Sequence, residues 1–380
     1  MFKSSIKIAV VFGLIFVLCF AGACKKTGGP SGSGAIKIGV LVPISGSEAS
    51  YGNDMYNSYA LAVDHVNAAG GVLGRQLELL APADDGCDAL MAAQAATTIT
   101  SQNPHFVVGG YCSGATIPAL QEFYDKNLVM LISAANSTRI TDLGLKQTFM
   151  INSPGSHAID SLIALMKSLG GITKVALIHQ GDDYTQNLSD LSHAKLPPAG
   201  FKIVATEVME KSAPDISAIV TAIRNSGAEF VYWCGYHADG GNAIRQLRKG
   251  GYSGYIACGD GSASIELIPA AGPAGEGVFV TSPPYIQFAE GGEEYLKAYE
   301  AKYGRSPDAY APLCYDTIML LKNAIEKAGT TETAKVRDEI QNISYAGLTG
   351  QISFAPNREL ANSNFIIIQI HNGEYRLYRP

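Results

Sequence analysis

Two turns in this sequence carry the residue types for holding a small anion. VVGGYCSGATIPAL runs from a strand through Gly109–Gly110 to Ser113 and then into a helix near Ala115. LVMLISAANST ends a strand at Ser133 and continues through Ala134, Ala135, Asn136 and Ser137. Unpaired backbone N–H groups and a positive helix end at such turns suit a carboxylate. The same serines also serve as helix caps and turn formers, and residue type alone leaves both readings open. Gly259-Asp260-Gly261 follows a strand pattern but lacks the third glycine of a dinucleotide fingerprint.

Sites for bond-breaking chemistry have little support. The seven histidines are scattered singly and none lies in an H-E-x-x-H spacing. No C-x-x-C pair, G-x-S-x-G elbow or P-loop occurs, so no metal, cofactor or catalytic residue is expected. An amide or peptide hydrolase remains a distant alternative.

The turns need elements to hold them. Residues 36–44 (IKIGVLVPI) are almost continuously apolar and β-branched, as in a buried parallel strand. A helix pattern over 51–69 follows and stops at Gly70–Gly71. Further strands are expected near 77–81, 106–109, 128–133, 175–179, 202–208, 230–233, 255–257 and 278–280, with helical patterns between them. Helical patterns then cluster at 293–303, 311–328 and 331–343, before strands at 351–354 and 365–370. Such alternation argues for an α/β protein with parallel sheets covered on both faces. About ten βα units exceed one doubly wound domain, so two sheets are expected.

Composition agrees with a folded, acidic protein. The 380 residues are 47% hydrophobic and 16% charged, with a net charge of −6, which leaves no basic stripe for nucleic acid. The N-terminus carries Lys3 and Lys7, then 13 apolar or small residues over 8–20, the pattern of a signal peptide h-region. Ala21-Gly22-Ala23-Cys24 follows, similar to a bacterial lipoprotein cleavage site with Cys24 as the lipidated residue; cleavage near Ala23 without lipidation is the alternative. TGGPSGSG over 27–34 reads as a flexible tether. The protein is expected to work in the periplasm or elsewhere outside the cytoplasm, touching membrane only through such an anchor.

From residue 35 onward the chain resembles the branched-chain amino-acid-binding family, the type I periplasmic solute-binding proteins of ABC transporters. The resemblance rests on the order of IGVLVPISGSEASYG, AAGGVLGRQLEL, DDGCDALMAAQAATTI, GGYCSGATIPA, SAANS, ALIHQGDDYTQ, FVYWCGYHADGGNAIRQLRKGG and GDG. It implies two doubly wound α/β lobes joined by three crossings, with ligand in the cleft between them. The implied division is a signal peptide at 1–23, a tether at 24–34, a first lobe of 35–154 plus 282–349 and a second of 155–281 plus 350–380.

By the same resemblance, Ser113, Ala135 and Ser137 would hold the α-carboxylate of an amino acid. Asp260 would meet its ammonium, one methylene shorter than the family's Glu, and Tyr51, Tyr184 and Tyr236 would wall the cleft. Each tyrosine offers an apolar face and a hydroxyl together. Cys87 and Cys112 match a family disulfide; closing a loop of about 26 residues is worth on the order of 3 kcal/mol in the chain-entropy model. Cys234 and Cys258, after two successive strands, are a second candidate pair. The implied function is capture of an amino acid or related solute by a monomer that delivers it to an ABC permease. A ligand-sensing receptor of the same fold is the alternative.

Overall fold

The structure is a computed structural model that describes residues 34–289 and 291–379. The expected signal peptide, Cys24 and all but the last residue of the tether lie outside the described residues.

IKIGVLV forms β1 (Ile36–Val42), six of whose seven residues are buried. It sits inside a parallel sheet with β2 (Leu77–Leu79) and β3 (Ala83–Asp84) on one side and β4 (Phe106–Gly109) on the other. β5 (Val129–Ile132) and β6 (Thr148–Met150) complete the order β2-β1-β4-β5-β6. Crossover helices cover both faces of such a parallel sheet, which is why the strand's sequence does not alternate. The connections carry α1 (Ala49–Ala68), α2 (Ala89–Ser101), α3 (Ser113–Asp125) and the short α4 (Arg139–Asp142). The Asp88 side chain accepts from the N–H groups of Leu90 and Met91 and starts α2.

α5 (Gly155–Leu169) leads into the second sheet. Its parallel strands are β7 (Lys174–His179), β8 (Lys202–Val208), β9 (Phe230–Cys234), β10 (Tyr255–Cys258) and β11 (Phe279–Ser282). Between them run α6 (Asp183–Lys195), α7 (Ser217–Ser226), α8 (His237–Lys249) and α9 (Leu267–Ala271). The chain then returns to the first lobe as α10 (Glu293–Tyr303), α11 (Ala311–Ala328) and α12 (Thr333–Gln341). A hairpin of β12 (Tyr345–Gly347) and β13 (Gly350–Ile352) follows, and β14 (Ile366–His371) and β15 (Glu374–Tyr378) add antiparallel edges to the second sheet. The second order is β15-β14-β11-β10-β9-β7-β8.

The third crossing lies later in the chain than the expected limit at 349/350, which falls inside the hairpin. Asp316 on α11 accepts from the N–H groups of Leu348 and Thr349, both at 2.8 Å, and from the Thr349 hydroxyl at 2.7 Å. Phe354 packs on Phe149 of β6 at 5.1 Å between ring centroids, and Met150 N–H donates to the Arg358 carbonyl at 3.0 Å. The apolar run at 351–354 therefore caps the first lobe instead of joining the second sheet. The first and third crossings meet where Asn364 N–H donates to Ser153 Oγ at 3.0 Å and Ser153 Oγ donates to Asn364 Oδ1 at 2.7 Å.

Strand order reverses between β1 and β4 in the first sheet and between β7 and β9 in the second. Connections leave such points on opposite faces, and a crevice opens at the strands' carboxyl ends. Tyr51, Ser113, Tyr184 and Tyr236 all stand just beyond those four strands. A disulfide joins Cys87 to Cys112 with 5.3 Å between Cα atoms and ties the loop after β3 to the turn after β4. Cys234, Cys258 and Cys314 are buried thiols. Among the described residues no helix is long and apolar enough to cross a membrane.

Gly109 ends β4 with φ of +127°, and a Cβ there would overlap the Leu41 carbonyl. Strain and overlap together make Gly109→Ala costly. It is expected to lower the unfolding free energy in urea by about 2–4 kcal/mol. An unchanged urea midpoint would contradict the role assigned to this turn.

Candidate ligand-binding site

Asp260 opens a single helical turn after β10 and is 1% exposed. Its Oδ1 accepts the Tyr184 hydroxyl at 2.8 Å. Its Oδ2 accepts the Asn136 amide at 2.8 Å, the Tyr310 hydroxyl at 3.0 Å and the Asn152 amide at 3.4 Å. Tyr184 belongs to the second lobe, while Asn136, Asn152 and Tyr310 come from the first or its crossing. One carboxyl group is thus gripped by donors from both sides of the cleft. Burial raises its pKa to about 6, against the lowering effect of the Tyr184 and Tyr310 hydroxyls. Gly261 N–H donates to the Tyr184 oxygen at 2.8 Å, so the turn after β10 and the start of α6 are locked together.

On the first lobe, Ser113 is the first residue of α3, whose N-cap is Cys112 without a side-chain hydrogen bond. The serine therefore does not cap the helix. Its Oγ accepts the Ser137 N–H at 3.2 Å, which draws the two turns together. Ala135 N–H is bonded to the Gly110 carbonyl at 2.9 Å, so Ala135 presents no free N–H. At a helix start the N–H groups of Ser113 and Gly114 have no intrahelical acceptor, and these are the donors left for an anion.

Aromatic rings line the space between these poles. Tyr184 lies 5.2 Å from Tyr236, Tyr236 6.0 Å from Tyr111, Tyr111 4.7 Å from Tyr51, and Tyr310 within 5.5 Å of both Tyr51 and Tyr111. Tyr111 and Tyr310, like Asn136 and Asn152, are site residues that the sequence reading missed. Tyr111 stands between the anchoring turn and Ser113, and its position in GGYCSG was the available signal. Tyr310 starts a helix far along the chain, where no local pattern points to the cleft. Burial pushes the hydroxyl pKa values of Tyr51, Tyr111, Tyr184, Tyr236 and Tyr310 well up, so all five remain protonated.

His237 begins α8 and faces Glu48 at 3.4 Å across the cleft and Glu266 at 3.3 Å. Burial pulls its pKa down, but the Glu48 hydrogen bond and the charges of Glu48, Glu266 and Asp308 outweigh this, and the net shift is upward. The Glu48 distance has ion-pair length without full hydrogen-bond alignment, since Nδ1 lacks a well-directed partner. Arg139 on α4 reaches Asp183 at 2.8 Å and Asp190 at 2.9 Å on α6. These rim pairs are more than one third exposed and contribute at most about 1 kcal/mol each. A surface groove of about 650 Å³ between α7 and α8 is open and lies away from these turns. The cleft is assigned on its buried donors and acids instead. Among the described residues no group of His, Cys, Asp and Glu is arranged to hold a metal ion.

Two α/β lobes, crossed three times and facing each other over a polar, aromatic cleft, define a class of protein that encloses a small solute. The periplasmic binding protein family profile matches residues 35–374, and the chain belongs to that family. Its members are extracytoplasmic solute-binding proteins. An amino acid binding protein of Pseudomonas aeruginosa is 29% identical over 341 residues, covering 88% of this chain and 90% of that one. A Leu/Ile/Val-binding protein homolog of Brucella abortus is 30% identical over 305 residues, 79% of this chain and 81% of the relative. A branched-chain amino acid transporter substrate binding protein of Streptococcus pneumoniae, solved with isoleucine, superposes with a TM-score of 0.80 at 26% identity, covering 91% of this chain and all of that one. A leucine binding protein of Thermotoga maritima shares the fold with a TM-score of 0.83 at 24% identity, covering 91% and 98%.

Because the Asp260 carboxyl prefers its proton in the folded state, the native protein binds more protons than the unfolded chain between about pH 4 and pH 6. Its contribution is therefore lost as pH rises through that window. Asp260→Asn should gain on wild type by about 2 kcal/mol between pH 4.5 and pH 7.5 without ligand. Urea unfolding at both pH values reads this, and parallel pH dependences would contradict it.

Proposed function

We propose that this protein captures an amino acid, or a solute with the same pair of charges, and delivers it to the permease of an ABC transporter. The observation that carries the reading is the buried Asp260 carboxyl opposite the Ser113–Gly114 helix start. One pole suits an ammonium and the other a carboxylate, and burying either ligand charge unpaired would cost several kcal/mol. Ser113, Ala135 and Ser137 shape the carboxylate pole, Asp260 forms the ammonium pole, and Tyr51, Tyr184 and Tyr236 flank the space between. The resemblance of relatives named for amino acids supports the same ligand class.

The site binds without reacting. Among the described residues Ser113 Oγ meets the Ser137 N–H and no general base, which supports binding without reaction. Closing the lobes over the ligand is a hinge motion about the three crossings. The protein acts as a monomer, with lobe 1 comprising 35–154 and 282 to about 360 and lobe 2 the remainder of the described chain. Cys24 anchors it to the membrane surface by lipidation, which lipid labelling of wild type but not of Cys24→Ser would read.

Mass spectrometry of ligand released from freshly purified protein should find an amino acid. Asp260→Asn should weaken that ligand by about 3 kcal/mol in calorimetry, since an ammonium would lose its counter-charge. Binding by wild type should strengthen as pH rises through about 6, where Asp260 gives up its proton to pair with the ligand. A preference for carboxylates lacking an amine, or equal affinity in the variant, would overturn the assignment.

A further inference from the structure

The cleft holds more buried carboxyl groups than a neutral zwitterion engages. Beyond Asp260, Glu48 and Asp85 stand in turns at the carboxyl end of the first sheet, 2% and 0% exposed. Glu48 Oε2 accepts the Tyr111 hydroxyl at 3.1 Å and shares His237 with Glu266. Asp85 Oδ1 accepts the Cys87 N–H at 2.9 Å, and its Oδ2 is buried without a partner among the described residues. The Cys87–Cys112 disulfide holds the Asp85 turn beside the turn that carries Tyr111 and Ser113. Among the described residues no lysine or arginine forms an ion pair with Glu48, Asp85, Asp260 or Glu266; the one cationic group there is His237.

A second observation comes from the aromatic wall. The Tyr51 hydroxyl, on a side chain that is 1% exposed, has no hydrogen-bond partner among the described residues, and its ring lies 4.7 Å from Tyr111 and 5.2 Å from His237. An aliphatic side chain placed among these groups would leave a hydroxyl and a carboxylate oxygen buried and unpaired. Sites built that way reject the less polar analogue strongly. Tyrosine faces beside carboxylates suit a cation, through the ring quadrupole and direct charge pairing together.

Resting on the amino-acid reading above, we infer that the ligand carries a second protonated nitrogen on its side chain, an amine or guanidinium, received by Glu48 and Asp85 and flanked by the rings of Tyr51, Tyr111 and Tyr236. Each ligand charge then has its own partner: the carboxylate at the Ser113 turn, the α-ammonium at Asp260, and the side-chain cation at the two remaining acids.

Calorimetry on the full chain, stripped of bound ligand, would compare L-lysine, L-ornithine and L-arginine with L-leucine and L-isoleucine. At least one cationic amino acid should bind 100-fold or more tightly than either aliphatic one. Glu48→Gln and Asp85→Asn keep side-chain shape, and each should weaken the cationic ligand by about 30-fold or more while narrowing that preference. If one variant fails to fold, as its melting temperature would show, the other carries the test. Leucine or isoleucine binding as tightly as the cationic set overturns this inference and leaves the amino-acid reading standing. Binding of none of the five also overturns this inference, and the amino-acid reading then stands or falls on the identity of the ligand released from purified protein.

Discussion

The buried carboxyl group of Asp260 takes hydrogen bonds from both lobes and joins them across the cleft. Taking such a group out of water costs several kcal/mol unless every oxygen is met by a donor. Tyr184 serves one oxygen from the second lobe, while Asn136, Asn152 and Tyr310 serve the other from the first. Opening the lobes separates these donors, so the state of Asp260 and the state of the cleft are linked. The raised pKa expresses the same fact: the group is held where its charge is incompletely compensated by the protein.

The remainder of the architecture brings those donors to one place. Parallel sheets gather the ends of β1, β4, β7, β9 and β10 on one side of each lobe, and the reversals of strand order open a crevice there. Small residues let the chain turn within it. Gly109 and Gly110, both at positive φ, carry the backbone from β4 into the Ser113 turn, and the Cys87–Cys112 disulfide braces that turn from the neighbouring loop. The hydrogen bond between Ser137 N–H and Ser113 Oγ then joins two successive βα units into one anchoring surface.

Much of this was legible in the sequence, and the exceptions share a cause. Continuous apolar runs such as IKIGVLV marked the buried strands, and helix patterns over 293–303 and 311–328 coincide with α10 and α11. Short elements escaped: β6 has three residues and β15 alternates in a way that fits a hairpin edge as well as a loop. The segment 351–354 reads as a strand and is one in part, but only tertiary contacts with Asp316 and Phe149 decide which lobe owns it. Site residues next to a recognisable turn, such as Ser113, Tyr184 and Asp260, carried a local signal. Asn136 lay within a marked turn, yet its bond to Asp260, 124 positions away, has no local trace. Tyr310 reaches the cleft only because the chain crosses back before α11. Ser113 shows the limit of residue-type reasoning: it sits at a helix start but bonds a neighbouring turn and does not cap.

The most direct measurement is a crystal structure of the protein with its co-purified ligand. The ligand is expected in the cleft, with a protonated nitrogen at hydrogen-bond distance, about 3 Å, from the Asp260 carboxylate and an anionic group facing the Ser113 and Gly114 N–H groups. A ligand bound outside the cleft, or one that presents an anionic or apolar group to Asp260, would contradict it.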